Sequence, residues 1–138
     1  MKYCKLQIET HSEGEKSYFE TQGVLTRSDR SLRVDYEQEE SVVLSIEKNA
    51  MRMERNSLSM HFIPQQETQA ILRMGDRVGT ISVFTRAFSR ERTDGGYSIR
   101  LEYELKFPNA PQLFHLNVKI QFVDGTVVSC NTERMKNI

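Results

Sequence analysis

The segment Tyr97-Ser98-Ile99-Arg100-Leu101-Glu102-Tyr103-Glu104-Leu105-Lys106-Phe107 alternates without a break. Every odd position is apolar or aromatic, and every even position is polar. Successive side chains of a strand point to opposite faces, so this is a strand with one dry and one wet face. A helical reading would put Leu101 and Glu104 on one stripe and fails. Residues 114–122 repeat the pattern: Phe114, Leu116, Val118, Ile120 and Phe122 alternate with His115, Asn117, Lys119 and Gln121. Pro108-Asn109-Ala110-Pro111 lies between the two segments, where a hairpin loop belongs.

The alternation extends outward to nearly the whole chain. Cys4, Leu6 and Ile8 form a first strand, and residues 18–26 a second after the polar turn at 11–15. Leu32, Val34 and Tyr36, then Val42, Leu44 and Ile46, continue the series. Met51 and Met53 follow the Lys48-Asn49 turn. Leu58, Met60 and Phe62 come next, then Ala70, Leu72 and Met74. Residues 78–91 form a long strand closed by Asp94-Gly95-Gly96, a strong hairpin signal. About ten strands joined by short turns, with no clear helical period, read as an all-β, antiparallel up-and-down meander. Open edges invite aggregation, so the meander is expected to close into a barrel or fold one sheet over another.

The chain has 138 residues, 38% hydrophobic and 28% charged, a length that predicts one domain over 1–138. The core is expected over 3–123, with 124–138 as a short strand or tail. The 19 Lys+Arg balance 19 Asp+Glu, which argues against a nucleic-acid partner. No long apolar run suggests a membrane span, and no apolar leader follows Met1, so a cytoplasmic location is expected. Cys4 and Cys130 lack metal-ligand spacing and read as free thiols, with a tie between the first and last strands as the alternative. The charge is uneven. Residues 1–48 carry 7 basic and 10 acidic groups, a net −3, and residues 73–100 carry six Arg against Asp76, Glu91 and Asp94, a net +3.

Several of these segments together resemble the YwiB-like family of uncharacterised bacterial proteins. They are Gln22-Gly23-Val24-Leu25, Val34-Asp35-Tyr36-Glu37, Val83-Phe84-Thr85, Leu101-Glu102-Tyr103-Glu104-Leu105 after Gly95-Gly96, and Leu116-Asn117-Val118-Lys119-Ile120. Where that family tends to carry a Thr-Pro-Tyr-Gly-like turn, this chain has Asp76-Arg77-Val78-Gly79, with only Gly79 in common. The resemblance implies a calycin-like barrel and no particular reaction. The chain has no Trp, so the Gly-x-Trp signature of classical lipocalins is absent.

No catalytic constellation can be named. His11, His61 and His115 form no metal pattern, so no metal or cofactor is expected. Glu102 and Glu104 share one face with Cα atoms roughly 6.5–7 Å apart. Arg100 and Lys106 beside them point to a solvated pair and not to a glycosidase-type dyad. Gly95-Gly96 precedes a strand, not the helix that a phosphate loop requires.

The strand at 78–91 conflicts with itself. Ile81, Val83, Thr85 and Ala87 lie on one face, and Phe84, Arg86, Phe88 and Arg90 on the other. Either a bulge shifts the register or the Phe84/Phe88 face is covered. Two function classes follow. The first is a non-catalytic binding module for a small or amphipathic ligand in the barrel mouth, with Tyr36, Thr85, Arg86 and Tyr103 as candidate ligand-binding residues. The second is a protein-interaction or assembly module, including a homodimer, acting through Phe84, Arg86, Phe88 and Arg90.

Overall fold

A computed structural model describes residues 2–123. It contains β1 (Lys2–Ser12), β2 (Glu15–Arg27), β3 (Leu32–Gln38), β4 (Glu40–Ile46), β5 (Met51–Arg55), β6 (Leu58–Phe62), β7 (Glu67–Met74), β8 (Arg77–Thr93), β9 (Gly96–Lys106) and β10 (Pro111–Phe122). Each strand pairs antiparallel with the next, and β1 pairs with β10, so the ten-strand meander closes into a barrel. Closure runs from Cys4↔Phe122 to His11↔His115 and leaves neither terminal strand as an open edge. The expectations for residues 124–138, including Cys130, lie outside the described residues; Cys4 is fully buried.

Alternation places the core as expected. Cys4 and Leu6, Val34, Leu44, Ile99, Leu101, Val118 and Ile120 are all buried in one continuous cluster. In β9, Leu101 and Tyr103 are buried and Leu105 packs partly against the cluster. Glu102 and Glu104 lie on the outer face, where Arg86 pairs with both.

The long strand resolves its conflict through a bulge. The register runs Val83↔Leu105, Phe84↔Glu104, Thr85↔Tyr103, then Ala87↔Glu102 and Phe88↔Leu101, leaving Arg86 as the extra residue. An extra residue reverses the parity of everything after it. Val83 and Thr85 face inward before the bulge; Phe88 and Arg90 face inward after it. The turn between β6 and β7 braces the site. Gln65 N–H donates to the Thr85 carbonyl at 2.7 Å, and Gln65 Nε2 to the Arg86 carbonyl at 2.8 Å.

The bulge corrects two expectations. Phe84, Arg86, Phe88 and Arg90 do not form one surface. Phe84 is half-buried on the outside with the Lys106 ammonium 5.7 Å from its ring centroid, whereas Phe88 packs against the core. Arg86 does not reach the barrel interior, because as the bulged residue it turns outward to Glu102 and Glu104. Ala87, counted with the inward set by simple parity, is likewise outward and exposed.

Candidate functional site

Three inward positions on adjacent strands form a row near the end of the barrel that carries the β1–β2 and β3–β4 turns. Tyr36 on β3 is the register partner of Val42 on β4, and Val42 is the partner of Arg55 on β5. Directly opposed residues of antiparallel strands have Cβ atoms about 4.5–5.5 Å apart, so the three are side-chain neighbours. Arg55 also pairs in register with Leu58. A guanidinium thus stands where Met51 and Met53 set an apolar precedent four and two residues earlier.

One polar atom of this row has no partner among the described residues. Arg55 Nε is buried without a hydrogen-bond partner, and Arg55 makes no ion pair among the described residues. Burial pushes the Tyr36 phenol up, and the nearby Arg55 charge pulls more weakly the other way. Glu40 feels the Arg55 charge. Its carboxylate is held below its ordinary range first by Ser57, whose hydroxyl and N–H donate to it at 2.6 and 3.0 Å, and to a lesser degree by Arg55.

The barrel wall parts beside this row. β2 pairs with β3 only over Val24–Arg27, so the first half of β2 diverges from β3. Gly23 marks the parting point: a Cβ there would sit 3.0 Å from the Asp35 carbonyl and 3.1 Å from Val34. The resulting groove, about 470 Å³, is lined by Thr21, Gly23, Asp35, Tyr36 and Val42 among others. Tyr36 and Val42, both buried inward residues, also border the groove, which brings it alongside the row. Phe19 stands over Tyr36 with ring centroids 5.9 Å apart.

A second polar pair faces inward from the opposite side. Thr85 and Tyr103 are register partners on β8 and β9. Thr85 is fully buried, and its Oγ1 has no partner among the described residues. Tyr103 stacks on Phe114 at 5.2 Å and tilts against Phe62 at 4.8 Å, and burial pushes its phenol up to about 12. Of the residues nominated from sequence, Thr85 and Tyr103 are therefore adjacent, Tyr36 belongs to a different wall, and Arg86 is outside. Arg55 was not nominated, although its odd-position parity after Met51 and Met53 was the signal for it.

The outer face holds a charged cluster. His115 Nδ1 lies 3.5 Å from Glu102 Oε1, and Arg86 Nη1 lies 3.7 Å from Glu102 Oε2. Glu102 and Glu104 thus share the Arg86 guanidinium on the outer face, and neither stands in the apolar pocket that a glycosidase acid needs. Among the described residues, no group of three His, Cys, Asp or Glu side chains is placed to hold a metal ion. Among the described residues, no helix is long and apolar enough to cross a membrane.

Comparison with known proteins gives two matches. A family described as a domain of unknown function (DUF1934) matches residues 2–120. The crystal structure of the ywiB protein from Bacillus subtilis is similar with a TM-score of 0.74 and 12% identity, over 89% of this chain and 93% of that one. At that identity the likeness is one of fold. No curated protein matches.

Proposed function

The chain belongs to the DUF1934 family, and from that premise we propose that it is a non-catalytic binding protein for a small anionic amphiphile. The family description names no activity, so the reading rests on the site. One observation carries it: the barrel interior holds polar atoms with no protein partner among the described residues, Arg55 Nε and Thr85 Oγ1. Buried polar groups are nearly always satisfied, and an unsatisfied one costs about 1–3 kcal/mol. A bound oxyanion removes that cost at Arg55, where a guanidinium presents a planar fork suited to carboxylate. The apolar part of the ligand would lie along Phe19, Val42 and the side groove. Tyr36, next in the row, would donate to the same head group.

Calorimetric titration with sodium dodecanoate tests this reading. Wild type should bind saturably, and Arg55→Gln should bind at least about tenfold more weakly, a loss of about 1.4 kcal/mol. Butanoate, with the same head group and little apolar surface, should bind more weakly than dodecanoate. Equal affinity of wild type and Arg55→Gln, with both proteins folded, would reject it.

A further inference from the structure

At the other end of the barrel, the last inward positions of several strands carry cations in place of apolar groups. Lys2 is the register partner of Leu25, Arg27 of Leu32, Arg90 of Ile99 and Arg92 of Tyr97. They gather around two aromatic rings. Tyr97 and Phe122 meet edge to face at 5.9 Å. Lys2, Arg27 and Arg92 stand 5.3, 5.4 and 5.2 Å from the Phe122 centroid. Arg92 and Arg90 stand 5.2 and 5.9 Å from the Tyr97 centroid.

None of these four cations is ion-paired among the described residues. The ring faces attract them, but like charges crowded round one ring also repel each other. Burial acts to raise the Tyr97 phenol, yet Arg27 and Arg92 outweigh it and the net shift is downward, as a positive local field requires. Arg90 is anchored across the barrel by donating to the Ile46 carbonyl at 3.2 Å. Beside it opens a cleft of about 960 Å³ between the 29–31 and 47–50 turns, with His61 and Arg90 in its wall and Asp29 and Glu47 at its rim.

We propose that this end of the barrel binds a multiply charged oxyanion of the pyrophosphate class, free or carried on a nucleoside diphosphate. Three guanidiniums and an ammonium converge there, and guanidinium forks match phosphate oxygens bidentately. Several cations without an ion-pair partner among the described residues favour an anion of more than one charge. The site is independent of the Tyr36–Arg55 row, at the opposite end of the barrel, so either can fail alone.

Nuclear magnetic resonance titration of the full chain tests the proposal, with sodium pyrophosphate and ADP as probes and sodium chloride holding ionic strength constant. Saturable shifts of the Arg92, Tyr97 and Phe122 amides with Kd below about 1 mM are expected. Arg27→Gln/Arg92→Gln should weaken binding at least about tenfold, and Arg77→Gln, at the far turn, should not. Tighter binding of ADP would place the phosphates on a nucleoside; equal or weaker binding would favour the free anion. Shifts that fail to saturate in wild type would overturn the proposal, whatever the fate of the variants. So would unchanged affinity in the folded double variant.

Discussion

Gly96→Ala is expected to cost at least about 4 kcal/mol, in the range reserved for severe steric conflict in a packed structure. Gly96 opens β9 and lies opposite Gln121 of β10. A Cβ built there would be 1.7 Å from the Ile120 carbonyl oxygen and 2.8 Å from its carbon. Both are backbone atoms of a strand paired on each side, by β9 and by β1, so they cannot swing aside as a flexible side chain would. Relief requires shearing β9 from β10 at the end where Phe122 N–H donates to the Gly95 carbonyl at 2.7 Å. Gly95→Ala is the matched control, because nothing lies within 4 Å of its added Cβ. Urea unfolding should show a large loss of midpoint for Gly96→Ala and a change of about 0.5 kcal/mol or less for Gly95→Ala. Equal midpoints would mean that β9 and β10 do not approach as described.

Leu101→Ala should lose about 2–5 kcal/mol, the range for truncating a buried Leu. Leu101 is 3% exposed and lies between inward partners on both sides, Phe88 of β8 and Leu116 of β10. The bulge brings Phe88 to this position, so little can move in to fill the space left by the isobutyl group. Its neighbour Glu102 faces outward, with its side chain 32% exposed and in loose ion pairs at 3.5 and 3.7 Å. Glu102→Ala should cost about 0.5 kcal/mol or less, as exposed pairs do. Similar losses in urea melts of the two variants would contradict the register of β9.

The barrel was legible because alternation states which face of a strand is dry, and nearly every strand of this chain states it. Alternation does not say which strand pairs with which. The need to cover edges argued for closure, but the pairing of Cys4 with Phe122 came only from the structure. The bulge was legible as a conflict between two apolar faces and not as a position. Parity counted straight through Arg86 put Ala87 inside and Phe88 outside, and the nominations made on that count inherited the reversal. The residues missed share one signature. Arg55 follows Met51 and Met53, Arg27 follows Leu25, and Lys2 precedes Cys4 at inward spacing. A charge on the dry parity near a strand end is the sequence mark of a barrel mouth, and it carries more functional information than the polar tips in mid-strand. The groove beside Tyr36 left no such mark, because it arises from β2 parting from β3 and not from any single residue.

Native mass spectrometry of the chain purified without detergent tests most directly whether the interior row at Tyr36 and Arg55 holds an anionic amphiphile. The chain should carry an added mass that denaturation releases, and the bare protein should take up one dodecanoate, with Arg55→Gln taking up little. The mass of the bare 16.1 kDa chain alone, before and after incubation with dodecanoate, would contradict the account.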